Sequence, residues 1–406
     1  VILTRTRNFL DLHLHAAGKF HTPDSFHHWS ALSLIAAAVG DRVSLVRFRH
    51  APLHPNLYVF LVGPPGIGKD HAIGFAQSLV TPEAAAYINP FPGSLTIAHL
   101  SDLLVAQQIR PLWPEGIRPA GDKGASLWLI HSELVADIRG GPLAEELVRS
   151  LVKLYSGTTS DVVVNATRMH GERRLHHAPC INWIAGSTFD WFPKAIPPDL
   201  FASGLSRRCF YIVEERNYDD RRTEPIYPAD YNEVVAHLQD RIGVLVCTRG
   251  EFVLSADASA AEAHWVKARP GPSSDVEASV WDGQHVLMLK LAMLYSLAEA
   301  SDPLVIRHRH LVAAQQMMHV AAAGTNRIAE IVYAAAGGLV VQQVEKVEAL
   351  IREYGQMQHS VLLRMVTKRG ISAAGLREIA NTLVDSRVIH RVIGDRGATY
   401  YRWGPK

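Results

Sequence analysis

Leu57-Tyr58-Val59-Phe60-Leu61-Val62-Gly63-Pro64-Pro65-Gly66-Ile67-Gly68-Lys69-Asp70 sets six apolar residues directly before a glycine loop, and a helical pattern opens at His71. An apolar run of strand length bounded by turn residues predicts a buried strand, so the order is strand, glycine loop, helix. In that setting the glycines let backbone N–H groups turn inward around a phosphate, and the helix N-terminus adds its positive dipole. Lys69 supplies a point charge for the β- and γ-phosphates. Gly63, Pro64, Pro65, Gly66, Ile67, Gly68, Lys69, Asp70 and His71 are the expected nucleotide-binding residues, with ATP and Mg²⁺ as the ligands. Asp70 is a departure, because this motif uses Ser or Thr there to hold Mg²⁺ through a hydroxyl.

Downstream, Leu127–Ile130, Ile181–Ala185 and Cys209–Val213 are further apolar runs of strand length, separated by helical patterns. Such runs predict an α/β fold with a parallel sheet covered on both faces. The first run continues Ser126-Leu127-Trp128-Leu129-Ile130-His131-Ser132-Glu133, an apolar strand with an acidic end, as in a Walker B motif. The Asp that holds the metal in that motif is replaced by Ser132, while the Glu that activates water is present as Glu133. The hydroxyl and carboxylate of the magnesium pair have thus exchanged places between Asp70 and Ser132, the two expected metal residues. Glu133 is the expected general base. The next strand ends in Ser187-Thr188, polar groups suited to orient the attacking water; a turn or helix cap before Asp190–Phe192 is the plainer alternative. Arg207 and Arg208 stand just before Cys209–Val213, where an arginine finger reaches a neighbour's nucleotide.

Composition bounds the rest. The chain has 406 residues, 48% hydrophobic and 20% charged, which excludes compositional disorder and suits two or three domains. Its 41 basic and 39 acidic residues leave +2, so no global field draws it to nucleic acid or membrane. Three cysteines, Cys180, Cys209 and Cys247, fit a reducing cytosol rather than a disulfide scaffold. No apolar run reaches membrane-spanning length. From residue 340 onward eleven Lys or Arg face six Asp or Glu, a local +5. There, helical patterns at about Leu339–Tyr354, Ser360–Thr367 and Ala373–Asp385 precede a β-hairpin, Val388–Ile393 with Ala398–Trp403. Three helices and a hairpin outline a winged helix, with Lys368, Arg369, Arg377 and Arg396 as its basic residues. Thr22–Val39 reads as a capped amphipathic helix. The histidines at 13, 15, 21, 27, 28, 308 and 310 read as scattered surface residues rather than zinc ligands, since no Cys-x-x-Cys accompanies them.

Together these stretches resemble the AAA+ helicase region of phage and mobile-element replication proteins. The resemblance rests on Thr22-Pro23-Asp24-Ser25-Phe26 with Trp29 and Leu34, His54-Pro55-Asn56-Leu57-Tyr58 leading into Gly63–Asp70, and Ser132-Glu133-Leu134. Pro179 with Ala185-Gly186-Ser187-Thr188, and Gly204 to Arg208, complete it, so that it covers about Thr22 to Val213. It implies a P-loop AAA+ core at 51–216, after a helical N-terminal segment at 1–50 and before a linker and helical lid at 217–338. The winged helix would occupy 339–406. It also implies ATP-driven translocation by a ring, a hexamer, in the bacterial host cytosol. Single-stranded or forked DNA is the track, a primase-polymerase a further partner, and no membrane is involved. Ser187-Thr188 would be sensor 1. Helicases of this broad class carry a hairpin before sensor 1 that points into the ring pore, and residues 161–177 read as two β-like arms around a basic turn. Arg168, His170, Arg173 and Arg174 are the expected DNA contacts. Two other readings stay open: a helicase loader or replication initiator, and a non-hydrolysing, nucleotide-gated DNA-binding module.

Overall fold

The computed structural model describes residues 8–18, 21–48, 51–109, 126–134, 138, 142–155, 163–165, 172–174, 179–215, 224–272, 275–299, 304–367, 371, 373–394 and 397–404. The chain divides into two units, Val1–Val332 and Tyr333–Lys406. The first opens with helices α1 (Phe9–Ala17) and α2 (Asp24–Val39) and strands β1 (Val43–Phe48), β2 (Ala51–Leu53) and β3 (Tyr58–Val62). Then come α3 (Lys69–Ser78), α4 (Pro82–Ile88), β4 (Pro90–Pro92), α5 (Ile97–Ile109), β5 (Ser126–His131) and α6 (Pro142–Leu154). Strands β6 (Val163–Asn165), β7 (Glu172–Arg174), β8 (Cys180–Ser187) and β9 (Cys209–Val213) follow. The remaining helices are α7 (Tyr231–Cys247), α8 (Ala256–Ala268), α9 (Asp275–Glu299) and α10 (His308–Tyr354), among short strands β10 (Gly250–Glu251), β11 (Val253–Leu254) and β12 (Val305–Ile306).

The central sheet is mixed with helices and wholly parallel, in the order β4-β5-β8-β3-β9. Every residue of β3, β5 and β8 is buried, as continuous apolar runs demand when helices cover both faces. On one face Phe60 meets Trp183 (ring centroids 4.8 Å) and Tyr211 (5.5 Å), and the Tyr58 hydroxyl donates to the Leu151 carbonyl at 2.9 Å. On the other, Trp29 of α2 packs on Phe210 at 4.6 Å, and Trp128 Nε1 donates to Ser33 Oγ at 3.0 Å.

Two sequence expectations change here, and one strand was not expected at all. Helix α2 is buried almost all round rather than amphipathic, because α1, α3, α4, α7 and α9 pack on it from outside while β3, β5, β8 and β9 lie beneath. The edge strand β4 escapes sequence reading because two of its three residues are prolines, tolerated only at a sheet edge. The histidines are not all on the surface. His13 and His27 are buried against Phe75, with ring centroids at 4.8 and 6.0 Å, and His310 is buried too. Burial, helped by the nearby His71, lowers the imidazole of His27 to about 3. Among the described residues no three His, Cys, Asp or Glu are grouped to hold a metal ion.

The second unit takes Val347, Leu350 and Ile351 from the end of α10. It adds β13 (Gln356–Gln358), α11 (His359–Thr367), α12 (Ala373–Asp385), β14 (Ile389–Ile393) and β15 (Thr399–Trp403). Its core includes Leu362, Val366, Leu376, Ala380, Ile389 and Tyr401. Its antiparallel sheet runs β13-β15-β14. The helix expected to begin at Leu339 is the last part of the 47-residue α10; Gly337 and Gly338 weaken a helix by about 1 kcal/mol each but do not end it. Among the described residues no helix is long and apolar enough to cross a membrane.

Candidate functional site

The glycine loop leaves the C-terminal end of β3 and enters α3. Gly66 and Gly68 have φ of 73° and 93°, a region that L side chains rarely adopt. A Cβ at Gly63 would meet the Glu214 carbonyl oxygen at 2.7 Å, and one at Gly68 would collide with the Thr22 side chain. Gly68 caps α3 without a side-chain acceptor, so the first-turn N–H groups keep their capacity for an anion. Lys69 is buried, and its Nζ donates to the carbonyls of Gly63 and Pro64 at 3.0 Å each, inside the loop. Pro65, Gly66 and Asp70 are exposed and Ile67 is buried. His71 lies 3.4 Å from Thr22 Oγ1 through Nδ1. Although Asp70 is exposed, partial desolvation raises its carboxyl from the ordinary value, and Lys69 pulls it back.

Because the sheet is parallel, β5 and β8 end at the edge that carries this loop. Gly63 N donates to the Ser187 carbonyl at 3.2 Å. Ser132 and Glu133 are exposed just past β5. Gly186 draws the parts together: a Cβ there would lie 2.5 Å from the Ser132 carbonyl oxygen and 3.5 Å from Lys69 Cβ. The turn beyond β8 uses the Thr188 carbonyl, which accepts from Trp191 N at 3.2 Å and Phe192 N at 2.9 Å. The Thr188 hydroxyl caps nothing. It is buried beside the loop without a hydrogen-bond partner among the described residues, an orphaned polar group of the sort a ligand or water satisfies. Ser187 is buried, its hydroxyl bonded weakly to the Thr188 carbonyl at 3.4 Å. Beneath, Trp183 Nε1 donates to His131 Nδ1 at 2.9 Å, and burial holds that imidazole down at about 4.

Arg207 and Arg208 are not brought to this edge. Tyr58 pairs with Cys209 and Val62 with Val213, so both arginines precede β9 at the far end of β3. A five-residue strand at about 3.3 Å per residue separates them from the loop by roughly 17 Å. Arg208 is half-buried with Nη1 donating to the Gly204 carbonyl at 2.9 Å, whereas Arg207 is exposed. Strands β6 and β7 pair antiparallel, Val163 with Arg174, Val164 with Arg173 and Asn165 with Glu172. Arg168 and His170 lie outside the described residues, as do Lys368, Arg369 and Arg396.

A clamp beneath the sheet was not visible in the sequence. Asn56, just before β3, donates through Nδ2 to the carbonyls of Tyr155 (3.1 Å) and Ile181 (3.2 Å), and its Oδ1 accepts from Lys290 Nζ at 2.6 Å. Lys290 of α9 is buried over the Tyr155 ring at 4.0 Å, and burial lowers its ammonium to about 7. An unfolded lysine keeps its proton to about pH 10.4, so the unfolded chain binds more protons between pH 7 and 10.4 and stability rises with pH across that window. Lys290→Met is expected to flatten the rise, on the order of 3 kcal/mol between pH 7 and pH 10. Urea unfolding at the two pH values measures it, and an equal pH dependence in both chains would show that the folded lysine keeps its proton up to pH 10, as an unfolded one does.

No protein-family model matches the chain, and no curated protein matches it.

Proposed function

We propose that the chain is an ATP-driven DNA helicase or translocase of the AAA+ class, working as a ring in phage or mobile-element DNA replication. The observation that carries this reading is the strand order. The strand ending in Ser187-Thr188 lies between the glycine-loop strand and the strand ending in Ser132-Glu133, and all three end at one edge. A nucleotide bound at the loop would thereby meet a lysine, an acidic residue and a buried hydroxyl from three neighbouring strands.

In this reading Lys69 exchanges its two loop carbonyls for phosphate oxygens and holds them by charge-assisted hydrogen bonds. Asp70 and Ser132 would hold Mg²⁺, which supplies charge neutralisation at the phosphates; carboxylate, water and phosphate oxygens suit that ion. Glu133 accepts the proton of the attacking water, and the Thr188 hydroxyl orients that water. Arg207, exposed at the far end of the sheet, suits a neighbouring subunit's γ-phosphate rather than its own. The β6–β7 pair and the basic second unit, whose helices and three-stranded sheet have the content of a winged helix, would contact DNA.

Glu133→Gln tests the chemistry. ATP affinity is expected to stay within a few-fold, while turnover falls by about 10²–10⁴ and strand displacement on a forked duplex stops. Normal turnover in this variant would assign the base elsewhere, and ATP hydrolysis by the wild-type chain without strand displacement would favour a loader or initiator.

A further inference from the structure

Far from the glycine loop in sequence, α8, α9, α10 and residues 270–272 line a half-open cavity of about 1010 Å³. Its floor is made of small or flexible apolar residues, Ala261, Ala268, Met318 and Ala322, which leave the space open. Its wall holds two indoles and a guanidinium: Arg269 Cζ lies 3.6 Å from the Trp281 ring centroid and 5.0 Å from that of Trp265. The arrangement is fixed. Arg269 Nη1 donates to the Trp281 carbonyl at 2.8 Å and reaches Gln284 Oε1 at 3.5 Å, while Trp281 Nε1 donates to the Pro270 carbonyl at 2.9 Å. Arg269 Nε is buried without a hydrogen-bond partner among the described residues, and a guanidinium offers five donors in a planar fork that suits an oxyanion.

The lining is also lopsided in charge. Exposed His264, His308 and His319 stand with Arg269, against one carboxylate, Asp257. That carboxylate is already engaged, accepting from Ser255 Oγ and from Ala258 N at the start of α8. Burial lowers the Arg269 guanidinium from its ordinary value, and Asp282, near it but not part of the lining, offsets this in part. Two indoles, one face of Trp281 already covered by Arg269, together with that fixed cation and a rim of imidazoles, match an aromatic base followed by a single phosphate. A free nucleoside triphosphate would ask for more cations.

We propose that this cavity receives nucleotide units of single-stranded DNA, a base against the Trp265–Trp281 wall and its phosphate on Arg269 and the rim histidines. The proposal rests on the translocase reading, since it gives the helical segment its own hold on the strand. Stacking of bases on aromatic side chains tolerates any sequence, as a translocase requires.

The test uses the full chain and oligo(dT) carrying 5-iodouracil, cross-linked by light and mapped by mass spectrometry. Adducts are expected at Trp265 or Trp281. Arg269→Gln, and Ala322→Leu, which fills the floor but keeps the wall, should each weaken oligo(dT) binding by about 5- to 150-fold and leave basal ATPase unchanged. Thymidine monophosphate should compete poorly. Adducts only elsewhere, with unaltered affinity in both variants, would overturn the proposal while leaving DNA-stimulated ATPase, and so the translocase reading, standing. A monophosphate that competes as well as the oligonucleotide would make the cavity a free-nucleotide site, and tighter binding of an acidic aromatic peptide would make it a protein contact; either also overturns it. A wild-type chain that binds no oligo(dT) at all would remove the translocase reading itself.

Discussion

In Lys69→Ala, ATP binding is expected to weaken by at least about 100-fold, because each hydrogen bond from a charged group is worth about 1.5–3 kcal/mol and in the proposed site the ammonium would serve two phosphates. The side chain is well placed for this: it is buried, and its Nζ sits between the carbonyls of Gly63 and Pro64. The loop should keep its course without it, since that is set by Gly66, Gly68 and the close approaches of Glu214 and Thr22. Fluorescent-nucleotide titration reads the affinity, and thermal unfolding confirms the fold. Unaltered affinity would mean that the loop is an ordinary strand-to-helix turn.

The largest kinetic effect is expected from Arg207→Ala, about 10³–10⁵ in turnover if the guanidinium completes a neighbour's site. The sheet register supports action in trans, because the arginine enters β9 at the end remote from its own loop. Arg208 is less suited, being half-buried and bonded to Gly204. Mixing Arg207→Ala subunits with Lys69→Ala subunits should therefore restore part of the activity, since some interfaces then pair an intact loop with an intact arginine. No recovery at any mixing ratio would make Arg207 a surface residue.

The sheet was legible because strands buried on both faces must be apolar throughout, and β3, β5, β8 and β9 have no polar interruption except Asn182 and the ends. Asn182 itself is explained only in three dimensions, where its Oδ1 accepts from Leu57 N at 3.0 Å. Strand β4 was hidden by its prolines, and α2 reads from the sequence as amphipathic with His27 and His28 on the surface. Ser33 and His27 are instead buried, with Ser33 bonded to Trp128. Within the site, the order of Lys69, Glu133 and Thr188 along the chain was readable. The tight passage of Gly186 between Ser132 and Lys69 was not, nor the clamp of Asn56 by a lysine 234 residues away. Local pattern encodes which face is buried; it does not encode which distant polar groups meet.

Steady-state ATPase of the wild-type chain with Mg²⁺, measured with and without single-stranded DNA, tests the central claim most directly. The account predicts Mg²⁺-dependent hydrolysis that single-stranded DNA stimulates and that Lys69→Ala removes. ATP binding without hydrolysis under either condition would contradict it, and would mark Asp70 and Ser132 as the residues of a site that binds nucleotide but does not turn it over.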